Sequence, residues 1–316
     1  MEAPRQDPPR TTPRTTPLGR LSKTDLHLLA VFMTVVETGG FAAAQVALNL
    51  GQSTVSRHIG DLEKRLGMRL CQRGRVGFRL TDKGRTVYES CQTLFNALES
   101  FRSDVGALRG ELVGELAIAV IDNWINESGG PLAEALAAFK SRGRQVDVNI
   151  HSLAPDEIER AVLDGRVGLG IGVFHQHRPG LNYEVLVQDP VELYCGRDHP
   201  LFDLVAEGRV PKDLNAADYV RRGYLSEEQV APLAAKLPSS ATAHQIEAVA
   251  FMILSGRYVG YLPVSYATRW VAIDRMRSLL PDRFRLITDI EIVTRKGAAL
   301  TLVSEAFLDR LRRASL

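Results

Sequence analysis

Residues 41–66 read FAAAQVALNLGQSTVSRHIGDLEKRL, and this stretch decides the fold of the first part of the chain. A short alanine-rich helix over residues 41–48 is followed by a tight turn at residues 49–52. A third helix then runs from about residue 53 to residue 66, with a core stripe formed by Val55, Ile59 and Leu62. Two helices joined by so short a turn, the second polar and basic on its outer face, are typical of a helix-turn-helix.

The flanking segments extend this motif to a winged helix-turn-helix. A helix with one apolar face begins near Thr24 and is stopped by the glycine pair Gly39-Gly40. Residues 69–81 form a short hairpin punctuated by arginines, with glycines available for its turn. This hairpin is either an ordinary exposed hairpin or a wing that brings arginines to DNA. Its position directly after the helix-turn-helix favours the wing.

A long helix with a regular heptad pattern follows the hairpin. Thr81 is its expected N-cap, and Asp82 lies in the first turn, where a negative charge is favourable. Apolar residues spaced 4, 3, 4, 3, 4 and 3 predict pairing with another helix, so we expect a dimerisation seam: Val87, Cys91, Leu94, Leu98, Phe101, Val105 and Leu108. The alternative is a long core helix within one globule. Gly110 and Gly114 are expected to bracket a hinge.

The remaining chain alternates strands with helices. Strands are expected at residues 116–121, 146–150, 167–174, 191–195, 219–221, 259–262 and 287–295. Helices are expected at residues 131–140, 155–163, 245–254, 266–276 and 302–312. This order predicts an α/β architecture with a largely parallel sheet, long enough for two small lobes.

Composition and charge exclude several classes of protein. The 316 residues are 45% apolar and 24% charged, which is a globular composition. The three cysteines are dispersed and form no CxxC pair, so we expect no metal site. No apolar run reaches the length of a membrane helix, and no signal peptide is recognisable. We therefore expect a cytoplasmic protein. The net charge of +2 is unevenly distributed along the chain. Residues 1–86 are basic, with 14 Lys/Arg against 7 Asp/Glu. That asymmetry favours contact with a polyanion.

Residues 1–20 carry five prolines and are expected to be a disordered arm.

The motif residues carry a resemblance to a known family. Residues 24–84 resemble the DNA-binding domain of LysR-type transcriptional regulators, in a pattern that includes Phe32, Ala44, Gln52, Val55, Ser56, Arg57, Leu62, Glu63, Gly67, Thr81 and Gly84. The segments 163–165, 199–201 and 255–263 resemble the effector domain of the same family. Gly51 and Ser53 depart from the family pattern at the start of the recognition helix, so the resemblance implies no particular base preference.

The resemblance implies a division of the chain. It places a winged helix-turn-helix DNA-binding domain at residues 21–81 and a coiled-coil linker helix with a hinge at 82–113. A two-lobed effector-binding domain, similar to periplasmic binding proteins, follows at 114–316. Lobe I comprises 114–187 and 285–316, and lobe II comprises 188–284.

The resemblance also assigns the DNA contacts. The residues expected to meet the major groove are Gln52, Ser53, Ser56 and Arg57, with Arg57 suited to guanine and Gln52 to adenine. Thr54 and His58 are expected beside phosphates. Arg73, Arg75 and Arg79 in the wing are expected at phosphates or in the minor groove. Arg73 has the alternative of a structural pair with Glu63.

The resemblance also implies an effector between the lobes, where loops leave the carboxyl ends of strands. Segments 122–128, 153–155 and 242–246 match that place, and helix N-termini there make an organic anion the candidate class. The candidate residues are Asn123, Trp124, Ser128, Ala154, Phe174, His175, His244 and Tyr261. Core packing is the alternative for Trp124, and a solvated loop is the alternative for His175 and His177.

The implied partners are double-stranded promoter DNA, a small-molecule effector, further copies of the chain as a homodimer or homotetramer, and RNA polymerase if the protein is an activator. A free solute-binding protein would lack the helix-turn-helix. No GxSxG, HExxH or P-loop pattern supports an enzyme, and a Cys195–His199 thiol dyad is a weak alternative. No cofactor is expected.

Overall fold

The structure is a computed structural model of the chain. It describes residues 21–74, 77–109, 111–122, 124, 130–141, 145–209, 214, 217–223 and 236–315. The chain separates into two compact units, residues 1–96 and 97–316. No helix in the described residues is both long enough and apolar enough to cross a membrane.

The first unit is a winged helix-turn-helix, as predicted. It contains the helices α1 (Lys23–Glu37), α2 (Phe41–Leu48) and α3 (Gln52–Leu66), followed by the hairpin β1 (Cys71–Gly74) and β2 (Gly77–Leu80). The turn between α2 and α3 passes through Asn49 in the left-handed conformation, at φ 51°. Gly67 ends α3 at φ 67°. Because both turn residues are types that tolerate positive φ, the local sequence accounts for both breaks.

The core of this unit lies between the three helices. It includes the fully buried residues Phe32, Val35, Ala44, Val55 and Leu70. Of the alanines of α2, Ala44 is buried, whereas Ala43 and Ala47 are exposed. A single small residue is therefore enough for the close approach of α2.

The fourth helix, α4 (Asp82–Ala107), begins against the wing. The Thr81 hydroxyl accepts a hydrogen bond from the Gly84 N–H at 2.9 Å, which confirms the predicted N-cap. The same hydroxyl donates to the Arg69 carbonyl at 2.8 Å. A Cβ at Gly84 would collide with the Leu70 carbonyl oxygen. The first turn of α4 is thus fixed to the root of the hairpin.

This contact makes Gly84 a strong determinant of stability. We expect Gly84→Ala to lower the free energy of unfolding of the first unit by about 1–3 kcal/mol, because the methyl group has no space against the Leu70 carbonyl. The measurement is hydrogen–deuterium exchange of the α1–α3 amides. The control is Gly60→Ala in α3, where an added Cβ meets nothing within 4 Å and helix propensity predicts a gain of about 0.5–1 kcal/mol. Equal effects of the two substitutions would contradict this account.

The expected heptad seam divides into two parts along α4. Val87, Cys91 and Leu94 pack against the core of the first unit, so this part of the seam has partners within the chain, and its pairing with a second copy stays a prediction. Leu98 and Phe101 are 41% and 67% exposed. Leu108 is 88% exposed but lies beyond the end of the helix. Periodicity identified an apolar face, but it could not show that the core of the first unit covers the first half of this face and leaves Leu98 and Phe101 exposed.

The second unit is built on one mixed sheet. Its described strands are β3 (Val113–Val120), β4 (Gln145–Ser152), β5 (Leu169–Gly172), β6 (Leu181–Gly196), β7 (Asp218–Arg222), β8 (Ala241–Ala243), β9 (Tyr258–Pro263), β10 (Met276–Ser278) and β11 (Leu286–Arg295). Their order is β4-β3-β5-β11-β6-β9-β7-β8, and β10 pairs with β6. Gly114, expected in a hinge, lies within β3 opposite Val146.

The expectation of a largely parallel sheet was wrong at the centre of this sheet. The long strands β6 and β11 pair antiparallel from Leu181 opposite Arg295 to Val191 opposite Leu286. Parallel strands flank them on each side: β4, β3 and β5 in lobe I, and β9, β7 and β8 in lobe II. By the expected lobe bounds, β6 therefore runs from lobe I into lobe II, and β11 pairs with it from the lobe I side.

Helices cover the two lobes. Lobe I has α5 (Gly130–Lys140), α6 (Pro155–Leu163) and α11 (Leu302–Ala314) around a core that includes Ile118, Ile171 and Phe307. Lobe II has α7 (Leu201–Ala206), α8 (Ile246–Leu254), α9 (Val264–Ala272) and α10 (Pro281–Phe284). The helix expected over 266–276 ends earlier, and Met276 instead pairs with Gly196 in a strand.

Candidate nucleic-acid interface and effector cleft

The outer face of α3 is polar and accessible. Gln52, Ser53 and Arg57 are exposed, and Thr54 and Ser56 are partly exposed. The opposite side of the helix is held in the core by Val55, Ile59 and Leu62. Gly51 precedes the helix and provides no side-chain cap. The first turn of α3 therefore presents polar side chains together with backbone N–H groups, a combination suited to phosphate and base edges.

His58 is placed differently from the prediction. Its ring packs edge-on against His27 of α1, with the ring centroids 5.2 Å apart. Its Nδ1 is buried and has no hydrogen-bond partner among the described residues. Loss of solvation lowers the pKa of His58, and the charges of His27 and Arg57 lower it further. A neutral imidazole packed against α1 is a poor phosphate ligand, so we remove His58 from the candidate contacts.

An ion pair between a buried carboxylate and a half-exposed arginine links α1 to α3. Asp25 is 3% exposed and accepts hydrogen bonds from the Ser22 N–H at 2.8 Å and the Ser22 hydroxyl at 2.6 Å. Arg65 Nε lies 2.5 Å from the other carboxylate oxygen. The pKa of Asp25 is lowered mainly by the hydrogen bonds from Ser22, with a smaller contribution from Arg65. The charge of Arg65 thus serves the packing of α3 and not the outer face.

Glu63 orders the root of the wing. One of its carboxylate oxygens accepts from the Leu70 N–H at 2.8 Å and from the Cys71 N–H at 3.1 Å. Arg79 on β2 is exposed, as a DNA contact requires. Arg75 and the side chain of Arg73 lie outside the described residues, so the predicted Arg73–Glu63 pair is not among the contacts described. The wing arginines stay predictions, with only Arg79 placed.

A cavity of about 440 Å³ lies between the lobes. Lobe I contributes residues at the ends of β3 and β4 and the start of α6: Asp122, Ser152, Leu153, Ala154 and Glu157. Lobe II contributes the end of β8 and the first turns of α8: Thr242, Ala243, His244, Gln245, Ala248 and Met252. The Ile246 N–H donates to Asp122 Oδ2 at 2.7 Å, so a direct hydrogen bond joins the two lobes across this cavity.

The predicted effector residues are only partly brought together. Ala154 and His244 line the cavity. Trp124 is partly buried against the core of lobe I. Tyr261 is a correction, because it lies in the core of lobe II with its ring centroid 6.2 Å from that of Tyr219. Asn123 and Ser128 lie outside the described residues.

Phe174 and His175 line a second cavity, of about 490 Å³. His177 lies beside them, stacked on Tyr183 at 3.9 Å and 3.1 Å from a carboxylate oxygen of Glu291. Partial loss of solvation is the main cause that lowers the pKa of the exposed His175, and the charge of Arg222 lowers it further. His177 thus has partners in Tyr183 and Glu291, but its side chain is 55% exposed in a loop, so the solvated loop stays its alternative.

Sequence reasoning missed Asp122 and Glu157 as individual cavity residues. Asp122 lies two residues after the end of β3, the first strand of lobe I, and the segment 122–128 was already expected to line the cleft. Glu157 is the third residue of α6 and accepts from the Ala154 N–H at 3.3 Å. Its position after Ala154 and Pro155 is an N-terminal capping pattern that the sequence does contain.

The thiols and potential metal ligands form no reactive cluster in the described residues. No group of three or more His, Cys, Asp or Glu there could hold a metal ion. Burial raises the pKa of Cys91 to about 11 and that of Cys195 to about 12. The Nδ1 of His199 accepts from the Leu201 N–H at 3.1 Å. A protonated thiol and an occupied imidazole nitrogen do not support the Cys195–His199 dyad.

Two family models match successive parts of the chain. Residues 26–85 match "Bacterial regulatory helix-turn-helix protein, lysR family", and residues 109–315 match "LysR substrate binding domain". The chain belongs to the LysR family. It is a LysR-type transcriptional regulator with a helix-turn-helix DNA-binding domain and an effector-binding domain. This confirms the resemblance inferred from residues 24–84.

Similar proteins support the same assignment for this LysR-type regulator. The HTH-type transcriptional activator BauR of Pseudomonas aeruginosa is 46% identical over 92% of this chain and 96% of its own length. Full-length CbnR complexed with its target DNA has a TM-score of 0.62 at 21% identity, covering 92% of this chain and 99% of CbnR. ArgP from Mycobacterium tuberculosis has a TM-score of 0.59 at 17% identity, covering 91% and 96%. The two structures show the likeness in fold.

Proposed function

We propose that this LysR-type regulator is a homo-oligomeric, effector-controlled activator of transcription that reads promoter DNA through α3 and the wing. The observation that carries the proposal is the outer face of α3, where Gln52, Ser53 and Arg57 are exposed above a fully packed core. Arg57 is suited to bidentate contact with guanine, and Gln52 to adenine. Thr54, Ser56 and the wing arginines complete the proposed contact surface.

The proposed oligomer forms through the second half of α4. Leu98 and Phe101 leave apolar side chains exposed on a helix that continues past the DNA-binding unit. Their burial against the same helix of a second copy would remove that surface from water. We propose residues 21–81, 82–113 and 114–316 as the functional divisions, with a homodimer as the minimal form and a homotetramer as the larger one.

The proposed control operates through the cavity between the lobes. A ligand that binds one arrangement of the lobes more tightly than another shifts the population toward that arrangement. In a protein with symmetric subunits, such a shift can change subunit arrangement and promoter contacts. The protein would thus act in the cytoplasm by binding and not by catalysis, with RNA polymerase as the partner of activation. Support for activation comes from BauR, whose name describes an activator.

The test is selection of binding sites by the full-length protein from random-sequence duplex DNA. We expect enrichment of a motif with two inverted half-sites about one helical turn apart, because a symmetric dimer presents two recognition helices. Affinity for the enriched duplex should fall steeply with salt, as expected for contacts that release counterions. Recovery of random sequences, or of a motif without twofold symmetry, would contradict the proposed mode of binding.

A further inference from the structure

A groove of about 640 Å³ lies between α3 and the root of the wing, within the first unit. The residues that line it come from the outer side of α3 and from the segment around β1: Ser56, Ile59, Gly60, Glu63, Arg69, Cys71, Gln72 and Thr81. Ser56 also belongs to the face of α3 that is proposed to meet the major groove. The groove is therefore continuous with the DNA-binding face of the helix.

Gly60 is a glycine that the packing of the first unit does not require. It lies in the interior of α3, between Gln52 and Leu66, where glycine is less stable than alanine. A Cβ added at Gly60 would meet nothing within 4 Å among the described residues. Glycine is used where a ligand approaches the backbone closely. The open side of α3 therefore points to an occupant from outside the chain.

Arg69 supplies a positive charge at the edge of this groove. Its side chain is 85% exposed, and one Nη lies 3.5 Å from a carboxylate oxygen of Glu63. The other carboxylate oxygen of Glu63 accepts from the backbone of the wing root, at Leu70 and Cys71. An exposed ion pair of this kind contributes little to stability, and a guanidinium carries five N–H donors. Arg69 can therefore bind an anion in the groove while it stays beside Glu63.

The geometry of duplex DNA identifies the anion. Each sugar-phosphate strand of B-DNA separates a major groove from a minor groove. With α3 in the major groove and the wing at the neighbouring minor groove, that strand has to cross the surface between the helix and the hairpin. The groove between α3 and the wing root occupies this surface. Among the described residues of its lining, Arg69 carries the positive charge that suits a phosphate.

We propose that this groove holds one sugar-phosphate strand of the duplex. Gly60 lets the strand approach the backbone of α3, Arg69 binds a phosphate, and the exposed Gln72 amide lies beside it as a further hydrogen-bond donor. This inference rests on the proposed function, because it presupposes that DNA is bound by α3 and the wing. It adds contacts that position the duplex and carry no sequence information.

Gly60→Ala separates binding from stability. The methyl group should slow hydrogen–deuterium exchange of the α3 amides, because alanine favours the helix. The same methyl group enters the groove, so the full-length protein should bind both the enriched duplex and a scrambled duplex about 10-fold or more weakly. Gly60→Gln projects further and should weaken both more. Unchanged affinity in the two variants, or a loss accompanied by faster exchange, would overturn the inference.

Arg69→Gln tests the phosphate contact through the dependence of binding on salt. The logarithm of the affinity falls linearly with the logarithm of the salt concentration, by about 0.9 for each phosphate neutralised. By fluorescence anisotropy over a series of KCl concentrations, we expect Arg69→Gln to make this slope shallower by about 1 for each bound subunit. Arg69→Lys keeps the charge and should restore the parental slope. A purely structural role beside Glu63 would leave the slope of Arg69→Gln unchanged and would contradict the proposal.

Arg209→Gln is the matched control for charge. Arg209 is likewise an exposed arginine beside a glutamate, 2.9 Å from Glu207, but it lies in the second unit. Its replacement should leave both the slope and the affinities at their parental values. Equal changes of slope in Arg69→Gln and Arg209→Gln would reflect a general loss of positive charge and would overturn the contact.

The scrambled duplex keeps this inference apart from the proposed function. A phosphate contact should weaken binding to the enriched and scrambled duplexes by the same factor in Gly60→Ala and Arg69→Gln. A change in the ratio between the two duplexes would show base reading at these positions and would overturn the inference. Failure of the DNA selection would instead overturn the proposed function, while the scrambled duplex would still report on the groove.

Discussion

Replacement of Arg57 with alanine is expected to abolish sequence-specific DNA binding while leaving the fold intact. Arg57 is exposed on the outer face of α3 and holds none of the described core. A bidentate arginine–guanine pair contributes about 1–3 kcal/mol to discrimination. A dimer would lose this contribution in both half-sites, so the affinity should fall by about two orders of magnitude or more. The measurement is fluorescence anisotropy with the selected duplex and a scrambled duplex.

The matched control is Lys64→Ala on the same helix. Lys64 is also basic and exposed, but it lies in the last turn of α3 and is 3.4 Å from Asp61. Its loss should leave the ratio between the selected and scrambled duplexes unchanged. An Arg57→Ala protein that keeps that ratio would show that α3 does not read bases through Arg57.

The second large effect is expected on α4. The double substitution Leu98→Asp and Phe101→Asp should convert the proposed oligomer to monomers, because four acidic groups would then face one another across the proposed helix pair. Analytical ultracentrifugation measures the change directly. Loss of the dimer should also weaken operator binding, since the two half-sites would be bound independently. Both positions are exposed in the described chain, so neither substitution disturbs a core contact.

Thr93→Asp provides the control for this experiment. Thr93 is an exposed residue of α4 that lies off the apolar strip, and it receives the same acidic side chain. Sedimentation should be unaffected by that change. If the Leu98→Asp, Phe101→Asp protein sediments as the parent does, the oligomer forms elsewhere. Leu94 is unsuitable for this test because it packs against the DNA-binding core.

The best-predicted parts of the fold are those with strong local signals. Residues 41–66 contain both helices and their turn, and the structure follows them within one residue. Thr81 also caps α4 as expected, because an N-cap depends on residues only three positions apart. Local chemistry therefore accounts for most of the winged helix-turn-helix.

The predictions that failed concern contacts between residues that lie far apart in the sequence. In the first ten residues of β6, polar and apolar side chains do not alternate clearly, and Pro190 is among them. These residues pair with β11, which lies about 100 residues later in the chain. Tyr261 carries a polar hydroxyl at a strand, yet its ring packs in the lobe II core. Asp122 was noticed only as part of a loop, because the helix that it caps begins 124 residues further along the chain. No periodicity in a single segment encodes such a contact.

The attachment of α4 to the hairpin limits how these two elements can move. Thr81 and Gly84 fasten the start of α4 to the backbone of residues 69 and 70, and the helix then continues without interruption past Asn96, where the first unit ends. The start of α4 and the root of the hairpin therefore cannot move independently within the first unit. A displacement of either one would have to carry the other with it.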